Sequence, residues 1–297
     1  MNGAQTHLRR VGLPVMALFL TACVTSGVEE ARQRDTADTQ VGLAQAYLQQ
    51  SDTRQALPAA LKAIELDPRN LNAYLTLGRI QHVEGRWDQA LDAYQKALAL
   101  DPKRGETYYL IGVVRYQMKD VAGAIEFLRK ALAQPTYLSP QDSHLYLGGI
   151  YVDQGKVDDA LTEFRKAVDV EPEFGSAHNA LGYALLLKRR PEEAIEEFSR
   201  AIRFAPTLIA AHRNLAIAYL QVGKKEEARA SFKKVVEMAP ADSPLGGEAR
   251  KALADLGGEG APPRAGETPA SALPAAPAAA VPAPGVGPGA PAGQTTR

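Results

Sequence analysis

The chain has little of what metal, redox or nucleic-acid chemistry requires. Its 297 residues contain one cysteine, which excludes an intramolecular disulfide framework and a zinc site built on several thiolates. Lysine plus arginine and aspartate plus glutamate balance at 34 each, so the chain has no net field to hold nucleic acid. With 45% hydrophobic residues, the composition is that of an ordinary chain that buries a core.

The N-terminus has the layout of a secretory signal. Arg9 and Arg10 precede an apolar run over residues 11–20, about half the length that a membrane-spanning helix needs. The run leads into residues 20–23, Leu-Thr-Ala-Cys, which resemble the bacterial lipobox. An ordinary signal peptide with an incidental cysteine is the alternative interpretation.

The lipobox resemblance implies export and a lipid anchor. Residues 1–22 would be removed as a signal peptide, and Cys23 would carry a diacylglycerol and an N-acyl chain, with no further cofactor. Several acyl chains on one residue hold a protein far more firmly than one chain does. Val24 stands where many enteric bacteria place an aspartate to retain lipoproteins in the inner membrane. We therefore expect an outer-membrane lipoprotein that faces the periplasm, with residues 23–36 as a flexible leash.

A repeat of 34 residues organises the middle of the chain. Prolines recur at this interval at positions 68 and 102 and again at 172, 206 and 240, and the gap between the groups is two repeats plus two residues. The resulting six units are 37–70, 71–104, 105–138, 141–174, 175–208 and 209–242. Each unit has Leu or Ile followed by a small residue at places 7 and 8 and alanine at place 20, and four have Tyr or Phe at place 24.

This pattern resembles the tetratricopeptide repeat. Each such repeat is a helix pair whose apolar stripe is covered only by the next pair, so we predict an all-α fold: a right-handed α-solenoid of six repeats. Gly85, Gly155 and Gly223 at place 15 predict left-handed turns between paired helices. Residues 248–256 predict a C-terminal capping helix, and the two extra residues after the third unit predict a protruding loop near Tyr137.

These predictions divide the chain into four parts. The signal peptide of residues 1–22 and the lipidated leash of 23–36 precede a folded domain over 37–257. Residues 258–297 are dominated by alanine, proline and glycine, contain no aromatic side chain and cannot bury a core, so we predict a disordered tail.

Catalytic chemistry is not expected. His144, His178 and His212 recur at one place of successive units, but neighbouring helix axes lie about 8–10 Å apart, too far for ligands that must each approach one ion to about 2 Å. Their place carries bulky residues in other units, so we interpret them as packing residues. No glycine-rich phosphate loop follows a strand pattern. We predict no enzyme activity, no metal and no small-molecule substrate.

A partner-binding groove is predicted from the family resemblance. Ligands of tetratricopeptide repeats usually lie in a concave groove lined by first-helix places 2, 5, 9, 12 and 13, which share one helix face. The candidate groove residues are Leu75, Arg79, Tyr109, Val113, Tyr116, Leu145, Val152, Asn179, Tyr183, Leu186, Arg213, Ile217 and Leu220. Such an apolar and aromatic surface is typical of protein interfaces.

The order of segments along the chain gives a second and more specific family resemblance. A lipobox, a short leash, six repeats and a lengthened connection after the third resemble the type IV pilus pilotin lipoproteins, also called pilus biogenesis or stability proteins. This resemblance implies a chaperone that escorts the secretin subunit to the outer membrane and promotes assembly of its ring-shaped channel. An adaptor for cell-wall hydrolases or for an exopolysaccharide or secretion complex is the alternative.

Overall fold

The computed structural model describes residues 13–257 apart from residue 241, and side chains from residue 28 onward. Within those residues the chain forms thirteen helices and no strand, so the predicted all-α class is confirmed. The helices are α1 (Leu13–Gln49), α2 (Thr53–Leu66), α3 (Leu71–Val83), α4 (Trp87–Leu100), α5 (Gly105–Gln117), α6 (Val121–Leu132), α7 (Pro140–Asp153), α8 (Val157–Val170), α9 (Gly175–Leu187), α10 (Pro191–Phe204), α11 (Ile209–Gln221), α12 (Lys225–Met238) and α13 (Pro244–Gly257).

The helices pair as the 34-residue repeat predicts. Each of the six units contains a first helix followed by a second helix, and α1 with α2 form the first pair. The chain divides into two compact units, residues 1–102 and 103–297. In the first unit α1 packs against both α2 and α3. In the second unit every helix from α5 to α13 packs against its neighbours in sequence, the arrangement of a repeat stack.

The close approach of paired helices depends on the small residue at place 8. An added Cβ at Gly182 would lie 2.7 Å from the ring of Phe198, and one at Gly112 would lie 2.9 Å from Leu128. Gly148 faces Phe164 in the same way, more tightly still. The three bulky partners Leu128, Phe164 and Phe198 at place 24 are fully buried, so the pairing of small with large residues forms the core of these pairs.

The turns between paired helices use a left-handed residue at place 15. Gly85, Gly155 and Gly223 have φ values of +71°, +72° and +78°, as predicted. Lys119 and Arg189 hold the same conformation at the same place in their units. The turn geometry therefore belongs to the repeat and is imposed even where the side chain disfavours it.

The C-terminal cap is longer than predicted. Helix α13 begins at Pro244, four residues before the expected start, and packs against α12. Proline is favoured in the first turn of a helix because it lacks the N–H that would be unpaired there. The Ser243 hydroxyl accepts a hydrogen bond from the Gly246 amide at 3.2 Å, so the helix start is capped by a side chain.

Residues 24–36, predicted to be a flexible leash, are helical. Helix α1 runs without interruption from Leu13 to Gln49 and passes through them. The segment contains helix-forming Glu, Ala, Arg and Gln side chains, and Arg34 lies 3.7 Å from Glu30 one turn earlier. Among the described residues no helix is long and apolar enough to cross a bilayer. The predicted tail, 258–297, lies outside the described residues.

Candidate partner-binding face

Most of the predicted groove residues are buried within the chain. Nine are covered by neighbouring side chains, namely Leu75, Tyr109, Val113, Leu145, Asn179, Tyr183, Leu186, Arg213 and Ile217. Every predicted residue at place 5 belongs to this group. Arg79, Tyr116, Val152 and Leu220 are half-buried and offer surface to a partner. Alanine at Tyr109 and Tyr183 would therefore disturb packing as well as any binding.

We call the side of α5, α7, α9 and α11 formed by places 2, 5, 9, 12 and 13 the first-helix face. A polar row crosses this face from repeat to repeat. The Tyr116 hydroxyl donates a hydrogen bond to the Asp153 carboxylate, and the charge of Asp153 acts on Tyr183. The charge of Arg213 also acts on Tyr183, and its guanidinium Nε donates to Glu248 of α13 at 2.7 Å. Hydrogen bonds thus join the third repeat to the fourth and the sixth repeat to the cap, and the charges of Asp153 and Arg213 both act on Tyr183 of the fifth repeat.

Two members of the polar row were missed by sequence reasoning. Asp153 is the last residue of α7, at place 13, and Glu248 belongs to the capping helix. Both are exposed acidic residues, which a periodicity argument treats as solvated surface. The sequence feature that could have identified Asp153 is its position at place 13, which is one of the groove places. No sequence feature could have identified Glu248, because its contact with Arg213 depends on how α13 docks.

A tyrosine cluster lies beside the row, where the third and fourth repeats meet. The ring of Tyr109 lies 5.6 Å from that of Tyr146, edge to face, and 6.2 Å from that of Tyr137. The Ser143 hydroxyl donates to the Tyr137 hydroxyl at 3.0 Å. Tyr137 thus turns inward from the lengthened connection, and the protruding residue of that loop is Leu138, which is 89% exposed.

Asp142 places a carboxylate against this tyrosine cluster. Burial, together with the nearby negative charge of Glu171, raises the pKa of Asp142 to about 6. Among the described residues neither carboxylate takes part in an ion pair. Burial also raises the pKa of Tyr109, with further contributions from Tyr146 and Asp142. The cluster is therefore an aromatic environment that contains an acidic side chain.

Two of the three recurring histidines contact the second helix of their own repeat. His144 Nδ1 lies 2.6 Å from the Glu163 carboxylate, and His178 Nδ1 lies 2.6 Å from that of Glu197. His178 Nε2 also lies 2.9 Å from the Pro172 carbonyl oxygen, and His212 Nε2 lies 3.0 Å from that of Pro206. These polar contacts join elements within the repeat stack. Within the described residues no group of three His, Cys, Asp or Glu side chains could hold a metal.

The buried His178–Glu197 pair predicts a pH-dependent stability. Burial alone would lower the pKa of His178, but hydrogen bonds to the Glu197 carboxylate and the Pro172 carbonyl outweigh it and raise the pKa above 6.5. The stabilising contribution is therefore complete below the unfolded pKa and is lost as the pH rises through the folded pKa. Urea unfolding at pH 6 and pH 8.5 should show lower stability at pH 8.5. Glu197→Gln should flatten this difference, and an unchanged pH dependence in that variant would contradict the assignment.

The fold and this face define a helical-repeat binding protein, and comparison with known families identifies it. A tetratricopeptide repeat profile matches residues 41–105, 84–142 and 147–209, and a second tetratricopeptide repeat profile matches residues 185–256. These matches cover more than half of the chain. The chain belongs to the tetratricopeptide repeat family, whose members are typically scaffolds without enzymatic activity.

Solved structures with the same fold include two pilus proteins. PilF of Pseudomonas aeruginosa is similar over 74% of this chain and 98% of its own, with a TM-score of 0.64 and 20% identity. PilW, described as a widely conserved type IV pilus biogenesis factor, is similar over 72% of this chain and 98% of its own, with a TM-score of 0.63 and 22% identity. The chain is thus a tetratricopeptide repeat protein that resembles pilus biogenesis factors.

The same fold also occurs outside pili. A chain of the Cut9–Hcn1 hetero-tetramer is similar over 77% of this chain and 45% of its own, with a TM-score of 0.65 and 19% identity. At such identities the similarity shows the fold alone. No curated protein matches the sequence.

Proposed function

We propose that the chain is a lipid-anchored adaptor of the outer membrane that binds the secretin subunit of a type IV pilus and promotes secretin assembly. The observation that carries this proposal is the similarity to PilF and PilW, which extends over 98% of each of those chains. The lipobox ending at Cys23 supports the same proposal, because it would hold the protein at the membrane where the secretin ring forms.

The first-helix face is the proposed contact surface. Its half-buried residues Tyr116, Val152 and Leu220 belong to three different repeats and can meet a partner without unfolding the stack. Tyrosine and aliphatic side chains that are partly exposed before binding and buried afterwards are common interface anchors. The buried residues beneath them hold the helices in register, so the surface is largely formed before the partner arrives.

A binding measurement with the purified secretin subunit tests this proposal. The triple variant Tyr116→Ala, Val152→Ala and Leu220→Ala should bind the subunit at least about tenfold more weakly than the unaltered chain, since each truncated anchor costs on the order of 1 kcal/mol. The matched control is Leu138→Ala with Val170→Ala, which removes exposed apolar side chains elsewhere in the same unit. Equal affinity of the triple variant and the control would place the contact on another surface.

A further inference from the structure

We infer that the first repeat receives an amphipathic helix of another protein on the exposed side of α1. The incoming helix takes the position that the second helix of the preceding repeat holds elsewhere in the stack. We call this surface, formed by Thr39, Gly42, Leu43 and Ala46, the open face of α1. It uses other places of the repeat than the first-helix face does, and the inference goes beyond the proposed function.

The other repeats show what covers these positions. The open face consists of places 3, 6, 7 and 10 of the first repeat. In α3, α7, α9 and α11 every residue at these places is buried, apart from half-buried Leu77. Each of those helices packs against the second helix of the preceding repeat, namely α2, α6, α8 and α10. On α1 all four places are exposed, and Leu43 is 41% exposed whereas Leu147 at the same place is 2% exposed. Among the described residues, the open face therefore lacks the second helix that covers its equivalents.

The contacts between α2 and α3 define the chemistry of a covering helix. Ile80 of α3 lies in one buried cluster with Ala59 and Ala60 of α2. Ala73 of α3 lies in another buried cluster with Ala63 of α2. The charged side chains of α2 are all exposed. A helix that covers these places thus has small apolar side chains one turn apart on one side and charged side chains on the other.

The open face of α1 is shaped for close helix packing. An added Cβ at Gly42 would have no atom within 4 Å, and the equivalent residue of the fourth repeat is Tyr146, which is buried. Leu43 provides an aliphatic side chain beside this gap. An incoming helix can therefore approach α1 closely and place a larger side chain over Gly42, just as Phe198 packs over Gly182 within the fifth repeat.

The opposite end of the stack indicates that the occupant is not a second copy of this chain. Two copies would stack head to tail only if one offered an uncovered second helix to the α1 of the other. The last second helix, α12, is covered by α13. Arg250, Lys251 and Asp255 of α13 are exposed, as in a terminal helix that faces water. Within the described residues the chain has no free second helix to offer, so the occupant is a helix of a different protein.

Photo-cross-linking in cells that naturally express the chain tests the inference. With p-benzoylphenylalanine in place of Gly42, irradiation should give a cross-link to another protein, and mass spectrometry should place it in a helical segment with an apolar stripe. The control carries p-benzoylphenylalanine in place of Lys62, which is exposed on α2, and should give severalfold less of this product. A cross-link to a second copy or to residues 258–297, a partner segment without an apolar stripe, or no product above the control would overturn the inference.

A charged substitution on the open face gives the second measurement. Leu43→Asp should abolish the cross-link and weaken binding of a synthetic peptide of the cross-linked segment at least about tenfold, because a carboxylate would be buried without a partner. The matched control is Leu61→Asp, since Leu61 is 49% exposed and lies at place 25 of the first repeat. Place 25 faces the following repeat, as the hydrogen bond from Arg129 to Tyr151 shows in the third.

Thermal melts check that both aspartate variants fold, which we expect because both leucines are exposed. Equal peptide affinity of Leu43→Asp and Leu61→Asp would overturn the inference. The two proposals fail separately. If a helix is captured on the open face of α1 but the secretin subunit does not bind the chain, the proposed function is wrong and this inference stands. If the secretin subunit binds and the open face captures no helix, the proposed function stands and this inference is wrong.

Discussion

A Cys23→Ala variant is expected to leave the membrane fraction entirely, whereas the unaltered chain stays with the outer membrane after washing with high salt. The proposed anchor consists of acyl chains on this one residue, and each buried methylene contributes about 0.8 kcal/mol to membrane binding. The chain contains no other cysteine to substitute for it. The measurement is fractionation of cells expressing either chain, followed by immunoblotting and mass spectrometry of the N-terminal peptide.

Variants of the neighbouring residue provide the control. Val24→Ala should keep the chain in the outer membrane, and in an enteric host Val24→Asp should shift it to the inner membrane. Recovery of the Cys23→Ala protein in the membrane fraction would reject the lipid anchor and, with it, the proposed location. A soluble but otherwise unaltered protein would confirm that the repeats fold without the lipid.

Gly148→Ala is expected to destabilise the second unit strongly, while Gly149→Ala beside it does not. An added methyl group at Gly148 would overlap with the ring of Phe164, which is fully buried and cannot move aside. Overpacking of this kind typically costs about 1–3 kcal/mol. At Gly149 the added Cβ would have no atom within 4 Å, and alanine in a helix interior gains about 0.5–1 kcal/mol over glycine.

The two substitutions add the same methyl group to adjacent residues of α7, so the helix-propensity gain cancels in the comparison. We expect the free energy of unfolding, measured with urea, to differ by about 1–3 kcal/mol between the variants, which is the cost of overpacking at residue 148. Gly112→Ala should resemble Gly148→Ala, since its added Cβ would lie 2.9 Å from buried Leu128. Equal stabilities at 148 and 149 would show that place 8 does not set the distance between paired helices.

The repeat plan was predictable from sequence because it depends on local signals that recur. The proline interval located the six helix pairs, and in later pairs the small residue at place 8 met a large partner at place 24, as between Gly182 and Phe198. Gly85, Gly155 and Gly223 marked left-handed turns for the same reason. At Lys119 and Arg189 the residue type does not indicate a left-handed conformation, and the one sequence signal for it is their position at place 15 of the repeat.

The binding face was harder to predict because the helical periodicity shows which face of a helix a residue lies on, but not how deeply that residue is buried. Leu145 and Asn179 share the angular position of the groove but are covered by adjacent repeats, and the depth depends on how closely the helices stack. The contact between Arg213 and Glu248 requires the docking of α13, which no local pattern encodes. Tyr137 illustrates the same limit, because the sequence located the lengthened connection but not the direction of its side chain.

The helical course of residues 24–36 has a different cause. The position of this short polar stretch after the predicted lipid-bearing Cys23 resembles that of flexible leashes, but its composition indicates a helix. Glu29, Glu30, Arg32 and Arg34 are good helix formers with favourable spacing, and they continue directly into the first repeat helix. The composition of residues 24–36 predicts a helix more strongly than their position after Cys23 predicts a flexible leash.

The most direct test of the central claim is the state of the secretin in cells that lack this protein. After deletion of the gene, we expect detergent-resistant secretin multimers to disappear from the outer membrane, secretin monomers to remain, and twitching motility to be lost. The unaltered gene should restore all three, and the Tyr116→Ala, Val152→Ala and Leu220→Ala variant should not. Normal secretin multimers in the deletion strain would contradict the account.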